Sequence, residues 1–230
     1  MNAAELKTWR KELRAELIAR RLAANPAERS AWNDAISNHL ERAFQNLARG
    51  VVVFCWPHKN EFDARFLVRK LRQRGAVTAL PVVVAPKTPL IFREWHPGVK
   101  MANGVLDIPY PAQSREVVPD TVLLPMNGFD EEGHRLGYGG GYFDRTLASL
   151  NKKPLVIGVT YELARLATIH PQAYDLPMDF IVTEHGVYER SSGKIELLAC
   201  RGQNYEPGPY SSSACYAHEI APDYLGGEKG

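Results

Sequence analysis

The stretch Val51-Val52-Val53-Phe54-Cys55-Trp56 gives the first indication of the fold class. It is short and rich in β-branched and apolar residues, and polar and apolar positions do not alternate in it. Such a run is typical of a strand that is buried on both faces, as strands are in a parallel sheet. Similar runs predict further strands over residues 78–84, 90–95, 121–124, 155–160 and 180–182.

Helical patterns alternate with these strands along the chain. In the first helix Leu6, Leu13 and Leu17 recur at helical spacing, and Pro26 is suited to the first position of the second. The predicted helices cover residues 3–22, 26–47, 64–74 and 142–150. The alternation predicts an α/β protein, a three-layer α/β/α sandwich with a largely parallel, Rossmann-like sheet.

Composition and charge exclude several functional classes. Among the 230 residues, 28 Lys and Arg stand against 26 Asp and Glu, so a net charge of +2 argues against a general nucleic-acid coat. No apolar run approaches the roughly 20 residues that span a bilayer, and the amino terminus lacks a signal-peptide core. We therefore expect a cytoplasmic protein, a monomer or small homo-oligomer, without nucleic-acid or membrane partners.

The cysteines and the carboxyl-terminal composition bear on domain organisation. Cys55, Cys200 and Cys215 are widely separated and form no CxxC pair, so they indicate neither a disulfide framework nor a zinc site. From about residue 201 the chain is rich in Gly, Pro, Ser and Tyr, without periodicity. We predict one catalytic domain over residues 1–200 and a poorly ordered tail over 201–230. Alternatively, the four tyrosines of the tail anchor it on the domain surface.

The stretch most informative about chemistry covers residues 128–145, GFDEEGHRLGYGGGYFDR, between a predicted strand and a helix. Four glycines fall within residues 137–141, and glycine permits positive φ and close backbone approach to a ligand. Successive N–H groups and the following helix N-terminus favour an anion there. Arg135 can add a bidentate phosphate contact, and Asp144 can hold a divalent cation that bridges phosphates.

Generic nucleotide motifs do not match this loop. A Walker A loop requires Lys followed by Ser or Thr, and the third glycine of a dinucleotide fingerprint is replaced by Tyr142. A flexible glycine turn is the alternative interpretation. Arg135, Asp144 and Arg145 weaken it, because a linker has no need of both signs of charge at fixed places.

The segment RLGYGGGYFDRTL, preceded by GFDEEGH, resembles the signature of the 5-formyltetrahydrofolate cyclo-ligase family, also called methenyltetrahydrofolate synthetases. The resemblance extends over roughly residues 7–189. Its weaker parts are the basic RKELR of residues 10–14, the acidic turn at residues 60–63, the strand at 80–83 and the segment 179–184.

The resemblance implies an ATP- and Mg²⁺-dependent ligase of one-carbon metabolism. Such an enzyme converts 5-formyltetrahydrofolate to 5,10-methenyltetrahydrofolate and releases ADP and phosphate. The formyl oxygen is phosphorylated first, and ring closure then expels phosphate. One alternative is a non-catalytic homologue that binds folate or nucleotide. Another is an RNA-binding protein, suggested only by the basic first helix and opposed by the net charge.

The resemblance also implies site residues. Catalytic roles fall to Arg135 and Tyr142. ATP would be bound by Arg10, Lys11, Arg14, Arg135, Leu136, Gly137, Tyr138, Gly139, Gly140, Gly141, Tyr142 and Phe143. The folate substrate would be bound by Trp56, Glu61, Gly139, Gly140, Gly141 and Tyr142. Mg²⁺ would be held by Asp144 and Asp179.

Each of these roles has a structural alternative. The basic residues of the first helix could form a solvated face, and Trp56 could pack in the core. Asp179 could be a turn residue. The chain also departs from the family pattern at Phe143, at residues 161–163 and at residues 174–175. The last two departures put folate contacts of the carboxyl-terminal half in doubt.

Overall fold

The computed structural model describes residues 1–198. Thirteen strands lie in this part of the chain. They are β1 (Val51–Val53), β2 (Val77–Val82), β3 (Ile91–Trp95), β4 (Met101–Asn103), β5 (Pro109–Pro111), β6 (Thr121–Pro125), β7 (Gly128–Asp130), β8 (Arg135–Leu136), β9 (Leu155–Val159), β10 (Arg165–Leu166), β11 (Phe180–Thr183), β12 (Gly186–Ser191) and β13 (Lys194–Leu197). The predicted tail at 201–230 lies outside the described residues, and so does the predicted boundary at residue 200.

Four α-helices accompany the strands: α1 (Ala3–Ala23), α2 (Pro26–Ala43), α3 (Arg65–Gln73) and α4 (Tyr142–Ser149). Pro26 occupies the first turn of α2, as the sequence predicts, and the Asn25 side chain caps the helix. The helix ends four residues before the predicted Leu47, because Phe44 leaves the helical region at φ −124°. A 3-10 helix over Gln45–Arg49 follows, and both Phe44 and Leu47 are buried in the core.

The central sheet has eight strands in the order β13-β12-β11-β9-β6-β1-β2-β3. Neighbours from β11 to β2 pair in parallel, which confirms the largely parallel sheet. The outer strands β3, β12 and β13 are antiparallel. Only residues 83–90 separate β2 from β3, which is too short for a parallel crossover of about a dozen residues. The sequence patterns did not predict β12 and β13.

Each face of the sheet is covered, as a three-layer sandwich requires. Val52 and Leu123 point to the side that packs against α2 and α3. Val53 and Val122 point to the other side, where α4 and a small sheet of order β10-β7-β8 cover the core. Neighbouring residues therefore serve opposite layers, which explains why these strands are continuously apolar.

The first helix lies apart from the two main core clusters. Leu17 of α1 packs with Leu136 and Ile169 in a smaller cluster, beside the strands that precede the glycine-rich loop. This position brings the polar side chains of α1 to the carboxyl-terminal edge of the parallel strands. None of the helices within residues 1–198 is long and apolar enough to cross a membrane.

Replacement of Leu123 by Ala tests the described core. The Leu123 side chain is 1% exposed at the centre of the sheet, and its truncation is expected to lower the free energy of unfolding by about 2–5 kcal/mol. Leu22→Ala, at a side chain that is 50% exposed, is the matched control and should change that free energy by less than about 0.5 kcal/mol. Urea unfolding measures both, and equal effects would contradict the packing described.

Candidate active site

A cavity of about 370 Å³ opens at the carboxyl-terminal edge of the parallel strands. The chain leaving β1, β2 and β6 forms its floor, as expected for a sheet of this topology. The connection between β4 and β5 forms one apolar wall through Val105 and Leu106. The glycine-rich loop and α1 close the opposite side.

The glycine-rich loop, residues 137–141, lies between β8 and α4. Gly139 has φ +88° and Gly141 has φ +61°, a region that side chains other than glycine rarely adopt. A Cβ atom at Gly139 would lie 3.2 Å from an Nη atom of Arg14. The loop ends at the start of α4. The first backbone N–H groups of a helix have no partner within it, so an anion is favoured there.

Arg135 and Asp144 form an ion pair on this side of the cavity. Their side chains are 7% and 17% exposed, and both line the cavity. Arg135 also donates to the carbonyl oxygen of Leu176 at 3.4 Å. A guanidinium and a carboxylate thus lie together beside the N-terminus of α4. They are the two charge types that polyphosphate with a bridging cation requires.

Arg10 and Arg14 lie one turn apart on α1, and both line the cavity. Arg10 is held by Asp175, at 2.6 Å between Nη2 and Oδ2, and by the carbonyl oxygen of His170 at 2.9 Å. The Nε of Arg14 donates to the carbonyl oxygen of Gly137 at 2.8 Å. Lys11 is exposed and does not line the cavity. The helix therefore presents arginines, not lysine, to the glycine-rich loop.

Glu61 lies at another part of the cavity and is 6% exposed. Its Oε1 accepts a hydrogen bond from the Tyr138 hydroxyl at 2.7 Å, and its Oε2 accepts from the His58 backbone N–H at 3.1 Å. Nη2 of Arg21 lies 3.8 Å from Oε1. Burial raises the pKa of Glu61, while Arg21 and the two hydrogen bonds oppose that rise.

The aromatic residues of the site both line the cavity and pack. Trp56 lines it, and its ring lies 4.9 Å from the Arg65 guanidinium and 6.4 Å from the ring of Trp95. Tyr142 lines it at the start of α4, with the Arg145 guanidinium 5.2 Å from its ring. For Trp56, the expected substrate contact and the alternative of core packing are therefore compatible.

Asp179 does not line the cavity that contains Asp144. It directly precedes β11, its carbonyl oxygen accepts from the Arg190 N–H at 2.9 Å, and burial raises its pKa. Within residues 1–198, no group of three or more His, Cys, Asp or Glu side chains could hold a metal ion. The two candidate metal ligands therefore do not share the cavity.

Of the remaining candidates, Leu136, Gly140 and Phe143 line the cavity. The positions that depart from the family pattern differ in whether they line the cavity. Tyr161 is fully buried and donates to Asn33 at 2.9 Å, and Glu162 forms an ion pair with Arg165. Neither Tyr161 nor Glu162 lines the cavity, whereas Asp175 does.

Sequence reasoning missed the parts played by Asp175 and Arg21. Asp175 appeared only as part of a departure, but it anchors Arg10. Arg21 is 3% exposed and contacts both Tyr138 and Glu61. The spacing of Arg10, Arg14, Leu17 and Arg21 places all four on one face of a helix, and this was the available signal.

Comparison with known proteins gives a consistent result. The sequence model of a family described as the 5-formyltetrahydrofolate cyclo-ligase family matches residues 6–184. The 5-formyltetrahydrofolate cyclo-ligase of Escherichia coli K12 is 31% identical over 150 residues, which cover 62% of this chain and 82% of that protein. The enzyme of the same name from Haemophilus influenzae is 26% identical over 181 residues, which cover 76% of this chain and 93% of that protein.

Solved structures resemble the fold. The NMR structure of Aquifex aeolicus 5,10-methenyltetrahydrofolate synthetase has a TM-score of 0.69 at 26% identity, and the match covers 84% of this chain and 97% of that one. A 5,10-methenyltetrahydrofolate synthetase from Mycoplasma pneumoniae has a TM-score of 0.62 at 23% identity, covering 76% and 98%. The second similarity is one of fold alone.

Substitution of Gly139 by Ala tests the loop geometry. An alanine at φ +88° is expected to cost about 1–2 kcal/mol, which would lower the thermal unfolding midpoint. Gly137→Ala is the control, because a Cβ there meets nothing within 4 Å and the residue is outside the left-handed region. Equal midpoints for the two variants, measured by calorimetry, would show that the loop conformation is wrong.

Proposed function

The chain belongs to the 5-formyltetrahydrofolate cyclo-ligase family, and we propose that it converts 5-formyltetrahydrofolate to 5,10-methenyltetrahydrofolate with ATP, releasing ADP and phosphate. The observation that carries this proposal is one cavity that joins a glycine-rich anion site to a buried carboxylate, Glu61. The curated relatives described above are named as enzymes, so a non-catalytic homologue is not favoured.

ATP occupies the side of the cavity formed by the glycine-rich loop. The backbone N–H groups of residues 137–141 and the start of α4 bind phosphate oxygens, and Arg14 and Arg135 add charge. Tyr142 and Phe143 border the nucleotide. Arg10 contributes from the wall, held by Asp175, whereas Lys11 contributes only long-range charge because it is exposed and does not line the cavity.

Mg²⁺ fits this side of the cavity through Asp144. A magnesium ion bound with polyphosphate needs one or two carboxylates and keeps several waters, so a complete cage of protein ligands is not required. Such an ion would neutralise phosphate charge beside Asp144. Asp144 would exchange part of its pairing with Arg135 for this role. Asp179 lies outside the cavity, which argues against a role for it as a second magnesium ligand.

The folate occupies the side of the cavity that contains Glu61. An ionised carboxylate accepts paired N–H bonds from a pterin ring, and a buried one does so with little competition from water. Trp56 and the apolar wall formed by Val105 and Leu106 suit the aromatic parts of the substrate. The glycines at 139–141 let both substrates approach the same backbone, so that the formyl oxygen can reach the γ-phosphate.

The chemistry then needs positioning and charge neutralisation more than covalent participation of the protein. The formyl oxygen attacks the γ-phosphorus and ADP leaves, with Arg135 stabilising the charge on the transferring phosphoryl group and Tyr142 holding its orientation. The second folate nitrogen attacks the activated carbon and loses its proton. The carbon–oxygen bond breaks, and phosphate departs with the former formyl oxygen.

The proposed reaction also bears on the oligomeric state, the partners and the cellular location of the protein. We propose that the protein acts as a monomer or small homo-oligomer. Neither nucleic acid nor a membrane is needed as a partner. We propose a cytoplasmic location, where ATP and reduced folates are available together.

A direct assay tests this function. Purified protein mixed with 5-formyltetrahydrofolate and Mg-ATP is expected to produce the absorbance of methenyltetrahydrofolate, and the signal should be absent when ATP is omitted. A folded sample, verified by circular dichroism, that gives no ATP-dependent increase would refute the proposed activity.

Asp144→Asn tests the assignment of the magnesium ligand. The amide removes a negative charge from the phosphate side, so kcat is expected to fall by about 10- to 100-fold. The Mg²⁺ concentration for half-maximal rate should also rise. Asp34→Asn, at an exposed aspartate of α2, is the control and should behave as the wild type. Full activity of the Asp144 variant at limiting Mg²⁺ would eliminate this assignment.

A further inference from the structure

Three hydrogen-bonded polar side chains, two of them buried, connect α1, the chain after β1 and the glycine-rich loop. Tyr138, in the loop, donates its hydroxyl hydrogen to Glu61 and accepts a hydrogen bond from Nη2 of Arg21 at 3.1 Å. Arg21 also lies 3.8 Å from the Glu61 carboxylate. The arginine and the glutamate are nearly inaccessible to solvent, at 3% and 6% exposure.

We propose that Arg21 is a positioning residue that couples the folate side of the cavity to the nucleotide side through Tyr138 and Glu61. This inference rests on the proposed function, in which Glu61 binds the folate and the loop binds ATP. Arg21 does not line the cavity itself. It acts through the two residues that do.

The contacts of Arg21 fix its guanidinium in one place. Its Nε donates to the carbonyl oxygen of Lys59 at 2.8 Å, and Nη2 donates to Oδ1 of Asn127 at 3.1 Å. Nη1 lies 3.5 Å from the carbonyl oxygen of Met126. These partners follow β1 and β6, so one side chain ties α1 to two strand ends and to the loop. A planar guanidinium with five N–H donors suits this task, whereas an ammonium group does not.

Burial raises the pKa of Glu61, and the charge of Arg21 is the largest influence that opposes this rise. The groups that face Glu61 are Arg21, Lys59, the Tyr138 hydroxyl, the His58 backbone N–H and the thiol of Cys55. The side chain of His58 is mainly neutral at pH 7, because burial, Lys59 and Arg21 lower its pKa. Lys59 is exposed and its charge is screened, so Arg21 is the effective cation.

The folate side and the nucleotide side of the cavity are coupled because Tyr138 contacts both of them. An ionised Glu61 holds the Tyr138 hydroxyl, and Tyr138 sits between Gly137 and Gly139 of the phosphate loop. A ligand that favours the ionised carboxylate therefore favours the loop conformation in which Tyr138 is held. By linkage, a nucleotide that favours this loop conformation must increase the affinity for folate by the same factor.

The pH dependence of the reaction separates this role from a merely structural one. Glu61 binds substrate N–H groups only when ionised, so kcat/KM for 5-formyltetrahydrofolate falls on the acid side as Glu61 is protonated. In Arg21→Met the buried carboxylate lacks its cation, its pKa rises further, and the acid limb should move to higher pH. Arg21→Lys keeps the charge, so its acid limb should stay close to that of the wild type.

The kinetic comparison uses these variants with one control. At neutral pH, Arg21→Met and Arg21→Lys are both expected to raise the KM for 5-formyltetrahydrofolate by about tenfold or more, since hydrogen bonds of charged groups are lost. Arg20→Met is the matched control, because Arg20 is exposed on the same helix and pairs only locally with Glu16. It should retain both the KM and the pH profile of the wild type.

The coupling itself is measured by calorimetry with a non-hydrolysable ATP analogue, titrated with and without 5-formyltetrahydrofolate. The wild type is expected to bind the analogue several-fold more tightly when the folate is present. Tyr138→Phe should bring the ratio of the two affinities close to one. Because Tyr138 is 40% exposed, this variant removes a hydroxyl without emptying the core, and it decides the question if Arg21→Met does not fold.

The outcomes distinguish the two proposals. An inactive wild type would contradict the proposed function, and the calorimetric ratio would still test the coupling. An active wild type together with an unshifted acid limb in folded Arg21→Met would overturn the inference alone. A Tyr138→Phe protein that keeps the full wild-type affinity ratio would overturn it as well.

Discussion

The parallel hydrogen bonding of β1 to β6 and β2 is the constraint on which the rest of the structure depends. Because the three strands run in the same direction, the chain leaves all of them at one edge of the sheet. Trp56, Glu61 and the loop that contains Tyr138 meet there, although they are distant in sequence. The apolar character of the strands fixes this arrangement, since both faces of the sheet are covered.

Paired charges are the second organising feature. The pairs Arg10–Asp175, Arg135–Asp144 and Arg21–Glu61 lie at or beside the cavity and are largely buried. Such pairs contribute little net stability, but loss of one partner leaves a buried charge that costs about 3–5 kcal/mol. The carboxylates of these pairs fix the guanidinium groups at the cavity and offset their positive charge. This explains how a protein with a net charge of +2 can contain a site suited to a polyphosphate.

Much of the fold could be predicted, because β1, β6 and the start of α2 carry strong local signals. The outer strands β12 and β13 could not, since their partly exposed residues lack a continuous apolar run. The glycine-rich loop was identifiable because its glycines and the charged residues beside them lie within one continuous segment of the chain. Asp175 was not, because it lies 165 residues from the Arg10 that it holds. For Asp179 the sequence predicted too much. Its residue type and its family-like segment suggested a metal ligand, but it does not line the cavity.

The separation between Arg10 and Asp175 also has a consequence for biosynthesis. A growing chain that has completed β6 already contains α1 and four neighbouring strands of the sheet, so the scaffold can form early. The first helix, however, finds the carboxylate and carbonyl groups that hold Arg10 only after residues 169–175 have been made. The arginine on α1 is therefore synthesised long before the residues that hold it in place. The wall of the cavity that contains Arg10 can therefore be completed only after Asp175 has been synthesised.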